Sequence, residues 1–225
     1  MEAVQQHRDR AASIDQSLDV AFSKVDWDRR KKAETSLGEW VKTYMCDGMA
    51  LNDEPPEKGY EVLRDMEKAL NAHQNYMICM GRGFGKSSYC ICATLFAIAT
   101  GLHKYVMIIS NNSASSGNLL SDVWRVIETP DSTFANDYPE VCFPFNVIHG
   151  AFRRRQIYHG KSTRIKKTAS TIMLPDLVKE DGTKYPTAGS IITCRGISSG
   201  LRGAKCGTLR PTLVLLDDLQ DFESA

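Results

Sequence analysis

The feature that most constrains the fold is a glycine-rich turn between an apolar run and a helix-forming segment. The turn and the residues after it, 81–88, read GRGFGKSS. The short apolar run 76–80 precedes it, and an apolar segment from about Lys86 to Thr100 follows it. A strand, a tight turn and a helix in this order are typical of an α/β fold with a parallel sheet. We therefore predict a buried parallel strand at 76–80 and a helix at 86–100.

The same turn carries most of the GxxxxGK[ST] pattern of a phosphate-binding loop. Its closing GKS is present, whereas Met80 stands at the position of the opening glycine. In such a loop, backbone N–H groups point at phosphates, the lysine neutralises phosphate charge and the hydroxyl holds Mg²⁺. The residues predicted to bind ATP are Gly81, Arg82, Gly83, Gly85, Lys86, Ser87 and Ser88, with Ser87 as a metal ligand and Arg82 as a catalytic cation. The alternative is a glycine-rich turn that binds nothing.

An acidic pair follows the last apolar run of the chain. Residues 213–216 read LVLL, and Asp217 and Asp218 come directly after them. Nucleotide hydrolases use one acid at a strand end to hold Mg²⁺ and a second group to orient the attacking water. We assign Asp217 to magnesium and Asp218 to the water, with Glu223 as a less favoured substitute. The alternative is a strand end that carries ordinary surface acids.

Positive charge is concentrated in one segment, although the net charge is only +1. The segment 153–167 holds seven Lys or Arg residues and no acid. Such a patch suits contacts with a phosphate backbone, and a solvated hairpin is an equally weighted alternative. The predicted nucleic-acid contacts are Arg153, Arg154, Arg155, Lys161, Arg164, Lys166 and Lys167. Arg195 and Arg202 flank a glycine-rich turn, and either is a candidate arginine finger. Of the two, Arg202 is the one that we assign a catalytic role.

The rest of the chain predicts further alternation of strands and helices. Strands are expected at 105–110, 171–174, 190–194 and 212–216, the middle two as an antiparallel pair, and a helix at 113–128. Residues 1–23 form either a helix or a loose tail. An amphipathic helix capped by Asp26 or Asp28 runs to Met45, with its charges at 29–32 facing solvent rather than DNA, and another helix covers 60–70. Seven scattered cysteines indicate reduced thiols. No apolar run is long enough for a membrane span.

Six segments in order resemble the large terminase subunits of tailed bacteriophages. The phosphate loop is similar to that family's M-P-R-G-x-G-K-[ST] pattern, with Gly81 where proline is usual. The last segment, RPTLVLLDDLQDFESA, is similar to RPDLVLLDDPQTDESA, although many hydrolysing relatives carry glutamate at the position of Asp218. The segments that carry the resemblance are 28–44, 80–87, 137–144, 158–166, 200–203 and 210–225.

The resemblance implies a P-loop NTPase of the additional-strand class, with a mostly parallel sheet flanked by helices. Residues 1–58 would be a helical lead-in and 59–225 the ATPase core. The family hydrolyses ATP with Mg²⁺ to drive double-stranded DNA into the capsid. It works as a homo-oligomeric ring with the portal protein and the small terminase subunit, in the host cytoplasm and docked transiently on the procapsid portal. No membrane partner is implied.

The resemblance also implies that the family's C-terminal nuclease lies beyond residue 225. A further strand would normally insert between the loop strand and the acidic strand, so the sheet is expected to be incomplete at its C-terminal side. We expect nucleotide binding with weak hydrolysis or none. Three alternatives stay open: another DNA translocase or helicase, a non-hydrolysing nucleotide-dependent DNA-binding adaptor, and a degenerate prophage remnant.

Overall fold

The structure is a computed structural model that describes residues 12–81, 83–147, 156–197, 206 and 208–219. The helices are α1 (Asp15–Ser23), α2 (Trp27–Ala33), α3 (Leu37–Tyr44), α4 (Glu57–Ala72), α5 (Lys86–Ala99), α6 (Ser113–Glu128), α7 (Thr133–Asp137) and α8 (Pro139–Val147). The strands are β1 (Ala12–Ser13), β2 (Tyr105–Ser110), β3 (Gln156–Tyr158), β4 (Lys161–Ser162), β5 (Lys166–Thr168), β6 (Thr171–Met173), β7 (Ile191–Gly196) and β8 (Leu213–Leu216).

A five-stranded mixed sheet in the order β5-β6-β7-β2-β8 is the centre of the fold. Three of its five strands, β7, β2 and β8, are parallel to one another, and β6 runs antiparallel to both β5 and β7. Helices α5 and α6 pack against this sheet. The predicted α/β class, the antiparallel pair β6–β7 and the helices at 86–100 and 113–128 are therefore confirmed, each element within one or two residues of its predicted bounds.

One hydrophobic core joins helices from the N-terminal part of the chain to the sheet. Trp40 of α3 and Leu63 of α4 belong to the same buried cluster as Leu95 of α5 and Val106 of β2. Helix α5 is buried along nearly its whole length after Ser88, because α3, α4, α6 and β2 surround it. This packing fixes the position of the helix that begins at the glycine-rich turn.

The strand predicted at 76–80 is absent from the described sheet. These residues form no strand, and the side chains of Tyr76 and Met77 are 42% and 81% exposed. A strand needs a neighbour for its backbone groups, and β8 is paired with β2 alone within the described part of the chain. One face of β8 is apolar and exposed, since Val214 and Leu216 are 46% and 58% exposed.

The single helix predicted from Asp26 to Met45 is two helices, and its charges do not all face solvent. Asp26 caps α2 through Arg29 N–H, and Ser36 caps a separate α3. Arg30 is buried with only 8% exposure. Its guanidinium bonds to Glu140 and to the backbone carbonyl of Asp137, more than a hundred positions along the chain. The prediction failed because such distant partners leave no local signal in the helical pattern.

A second, three-stranded sheet lies beside the N-terminal helix. Strand β1 pairs in parallel with β3, and β3 pairs antiparallel with β4. Asp15 Oδ1 accepts a 2.7 Å hydrogen bond from the backbone N–H of His159 at the β3–β4 turn. Residues 12–23, the described part of the segment that the sequence left open between helix and tail, form β1 and α1, which contact the β3–β4 hairpin of the basic segment.

Candidate nucleotide site

The glycine-rich turn opens in front of the N-terminus of α5. Gly83 and Gly85 have φ angles of +83° and +84°, in the left-handed region that glycine adopts without strain. Added Cβ atoms at these glycines would meet nothing within 4 Å, so the backbone conformation, rather than crowding, favours glycine there. Space is thus available beside the free N–H groups at the start of a 14-residue helix. That arrangement suits an anion.

The lysine of the turn lies against the loop that precedes it. Lys86 Nζ donates 3.0 Å hydrogen bonds to the backbone carbonyls of Met80 and Gly81. Lys86 is the first residue of α5, which directs its stem back across the turn. An anion in front of the helix would compete with these two carbonyls for the ammonium group.

The serine of the turn contacts the first of the two strand-end acids. Ser87 Oγ donates a 2.8 Å hydrogen bond to Asp217 Oδ2, across 130 positions of sequence. The two motifs recognised separately in the sequence thus meet at one point. Both side chains carry oxygen ligands of the type that Mg²⁺ prefers, and Mg²⁺ keeps several waters and needs only one or two protein carboxylates. Ser87 and Asp217 therefore fit a magnesium site.

The second acid has an unusual backbone conformation. Asp218 has a φ angle of +44°, and its carbonyl accepts a 3.2 Å hydrogen bond from the backbone N–H of Asn111. Asp217 N–H donates to the carbonyl of Ile109, continuing the β8–β2 pairing. Left-handed non-glycine residues cluster at functional sites because surrounding structure must hold them. The Asp218 side chain is exposed at the edge of the site, where it can reach water.

Three parallel strands end together at this edge. Arg195 of β7 is in register with Ile109 of β2, and the loop after β2 caps α6 through Asn112. A Cβ at Gly196 would lie 2.5 Å from the backbone nitrogen of Ser113, so only glycine permits this approach of β7 to α6. Ligands in open α/β sheets bind outside the carboxyl ends of the strands. From the sequence alone, Asn112 and Gly196 have no predicted role: Asn112 is the second of two asparagines after a buried strand, and Gly196 directly follows Arg195 at the end of β7.

Burial raises the pKa of both thiols on the helix of the turn, Cys90 and Cys92. Cys90 of α5 is buried, and burial, with a smaller contribution from the charge of Asp217, raises its pKa to about 12. All seven cysteines are free, and Cys79 is the exposed one. No cluster of three or more His, Cys, Asp or Glu side chains suited to a metal occurs in the part of the chain that the structure describes.

The described part of the basic segment is divided between the two sheets: Lys161 lies in β4 of the small sheet, and Lys166 and Lys167 lie in β5, at the edge of the large sheet opposite β8. Lys161, Arg164 and Lys166 are exposed, while Lys167 Nζ lies 5.5 Å from the centre of the Trp124 ring. Strand β5 is separated from β8 by three intervening strands, a spacing of about 19 Å at 4.8 Å per strand. Lys166 and Lys167 therefore lie on a surface separate from Asp217.

Several predicted residues lie outside the described residues. They are Arg82 of the turn, Arg153, Arg154 and Arg155 of the basic segment, the finger candidate Arg202, and Glu223. Of the two arginines considered as fingers, Arg195 is described, half-buried in β7 near the carboxyl edge of the sheet. Gly81, Gly83, Gly85, Lys86, Ser87 and Ser88 all lie at or directly beside the start of α5.

Comparisons of this chain with protein-family models, curated proteins and solved structures found no match. Among the described helices, none combines the length and the apolar character that crossing a bilayer requires.

Proposed function

We propose that this chain is a magnesium-dependent ATPase domain of a large terminase subunit, which moves double-stranded DNA into a phage capsid. The observation that carries the proposal is the contact between Ser87 Oγ and Asp217 Oδ2 at 2.8 Å. A hydroxyl that follows GK and an acid that ends an apolar parallel strand form the metal-binding half of a P-loop hydrolase site. A turn that binds nothing gives no reason for these two side chains to meet.

Each residue of the site has a proposed role. The backbone N–H groups of Gly83, Gly85 and the first turn of α5 hold phosphate oxygens, and Lys86 exchanges its carbonyl partners for phosphate. Ser87 and Asp217 hold Mg²⁺, which supplies neutralisation of phosphate charge. Asp218 orients the attacking water, and Arg82 and Arg202 remain the proposed catalytic cations.

The partners follow from the same proposal. The basic segment, represented by Lys161, Arg164, Lys166 and Lys167, binds the DNA backbone without reading sequence. The finer fold assignment, a P-loop NTPase of the additional-strand class, is part of the proposal. So are a homo-oligomeric ring, the portal protein and small terminase subunit as partners, and a location in the host cytoplasm with docking on the procapsid.

The proposal is tested by binding of a fluorescent ATP analogue with and without Mg²⁺. We expect Mg²⁺-dependent binding that Lys86→Ala reduces at least about tenfold, since a charged hydrogen bond contributes about 1.5–3 kcal/mol. The matched control is Lys68→Ala on the exposed face of α4, which removes a lysine paired with Asp65. If the folded wild-type chain binds the analogue and the two variants bind it equally well, the phosphate-loop assignment is refuted.

A non-hydrolysing adaptor is separated from a hydrolase by replacing Asp218. Asp218→Asn removes the charge that would orient water but keeps the size of the side chain. In a full-length hydrolase, this variant binds the ATP analogue normally and loses phosphate release with Mg²⁺-ATP. Unchanged turnover would mean that Asp218 is not catalytic.

The DNA contact is tested separately, by anisotropy of a labelled duplex at several salt concentrations. Replacing Lys161 and Lys166 by alanine removes two exposed cations, so the slope of log affinity against log salt concentration should fall by about two. The control pair is Lys31→Ala with Lys32→Ala on α2. An equal effect of the two pairs would place the DNA elsewhere.

A further inference from the structure

A cleft of about 730 Å³ lies away from the phosphate loop, between α1, α2 and the loop that leads into β7. Glu140 of α8 and the β3–β4 turn complete its walls. Neither the described part of the glycine-rich turn nor the strand-end acids line it. Its size is within the range of sites that bury a ligand or a short peptide segment.

Aromatic faces form one side of the cleft. Phe22 of α1 and Tyr185 of the loop are stacked, with ring centres 5.2 Å apart and planes within 9°. Trp27 at the start of α2 lines the same cleft and is 55% exposed, although it is one of the largest apolar side chains. Flat exposed rings of this kind accept a planar or cationic group across their faces.

The charges of the cleft are mainly negative. Five carboxylate residues line it against three Lys or Arg residues. Two of the three cations are already engaged: Arg30 pairs with Glu140 at 2.8 Å, and Lys179 lies over the ring of Tyr185. The excess of carboxylates disfavours a phosphate-bearing occupant, because like charges repel.

One carboxylate is placed to accept an incoming donor. Asp19 is exposed and its Oδ1 accepts a 3.3 Å hydrogen bond from the hydroxyl of Tyr158. A carboxylate has about four acceptor positions, so further donors can be bound at Asp19. It belongs to α1, as does Phe22, and both line the cleft.

An arginine in the wall of the cleft is already held by aromatic rings and carboxylates. The guanidinium carbon of Arg30 lies 4.0 Å from the centre of the Tyr138 ring and 5.4 Å from that of Trp27. Its nitrogens bond at the same time to the carboxylates of Glu34 and Glu140. Burial alone would lower the pKa of Arg30, but the charge and hydrogen bonds of Glu140 outweigh burial and raise it. Aromatic faces and carboxylates are thus combined around a guanidinium.

We propose that this cleft is a docking site for a short segment of a protein partner that presents an arginine side chain. The guanidinium would stack on Trp27 and donate to Asp19. Arginine suits the site better than lysine, because its plane stacks on rings and its fork pairs with carboxylates. The cleft is larger than one side chain, so the flanking residues of the segment also enter it. This site is independent of the proposed ATPase activity.

The test uses anisotropy of a fluorescein-labelled octapeptide of glycine and serine that carries two arginines. We expect saturable binding that weakens at least about fivefold in Trp27→Ala, with binding restored in Trp27→Phe. Asp19→Asn should weaken it about fivefold, and replacing the arginines of the peptide by lysine about threefold. Asp122→Asn, an exposed acid on α6, is the matched control and should leave binding unchanged.

The outcomes that overturn the proposal are distinct. One is the absence of saturable binding to a wild-type chain whose far-ultraviolet circular dichroism shows it folded. Another is binding that Trp27→Ala and Asp19→Asn do not change, which would mean a nonspecific attraction to surface acids. A third outcome concerns nucleic acid. If a labelled oligonucleotide displaces the peptide from the wild-type chain but not from Trp27→Ala, the cleft is assigned to nucleic acid.

Discussion

Replacing Asp137 by alanine should destabilise the chain more than any change to a surface acid. The Asp137 carboxylate has no exposed area and accepts four hydrogen bonds: two of 2.7 Å from Arg29, one from the hydroxyl of Tyr44 and one from Asp26 N–H. Breaking a buried pair by removing one partner costs about 3–5 kcal/mol. Arg29 is 39% exposed and can regain water, so we expect the lower end, about 3 kcal/mol.

The assay is urea unfolding followed by circular dichroism at 222 nm, with Asp137→Ala, Arg29→Ala and the double variant. Because both variants remove the same contact, their costs should not add, and the coupling should be at least about 1 kcal/mol. Asp122→Asn, an acid with a 47% exposed side chain, is the control and should stay within about 0.5 kcal/mol of wild type. A cost below about 1 kcal/mol for Asp137→Ala, or additive costs, would refute the reasoning.

Three further predictions follow from single side chains. Asn112→Ala should lower the free energy of unfolding, measured in urea, by about 1 kcal/mol, because the side chain caps α6 by accepting a 2.8 Å hydrogen bond from Ser115 N–H. Asn112→Gly should lower it by only a few tenths of a kcal/mol. Cys79 should give the fast phase of thiol labelling, which Cys79→Ala removes, whereas Cys90 should react only on unfolding because burial raises its pKa to about 12. Burial lowers the pKa of His103, so the folded state favours the neutral ring, and stability should fall as pH drops below about 6.5. His103→Gln should reduce that slope, and an unchanged slope would contradict the assignment.

The elements that were predicted well carry their signal within their own residues. The runs that became β2 and α5 are continuously apolar, and α6 follows a polar capping residue, so burial and local capping agree there. From the sequence, Ser87 and Asp217 are also assigned to one proposed magnesium site, and the structure brings the two side chains into contact. In both cases, the information lies in residue type and spacing.

The elements that were predicted poorly depend on distant residues. The run 76–80 is as apolar as β2, but a strand forms only beside a partner, and the run itself does not encode which strands are available. Arg30 lies in a charged run that normally faces water, yet its partner Glu140 is 110 positions away. The cleft at Trp27 gathers residues from at least four elements, which a reading along the chain keeps apart.

The position of the glycine-rich turn relative to Asp217 is set mainly by helix packing. The hydrogen bond from Ser87 to Asp217 is exposed, so it contributes about 1 kcal/mol, too little to hold two elements in place. The run before the loop forms no pairing with β8 among the described residues, so sheet hydrogen bonds do not align it either. What remains is α5, whose side chains from Tyr89 to Ala99 are buried among α3, α4, α6 and β2. A core substitution such as Leu95→Ala should therefore weaken nucleotide binding, because it loosens the support that brings the two halves of the proposed site together. Ser87→Ala, by contrast, should change the free energy of unfolding little.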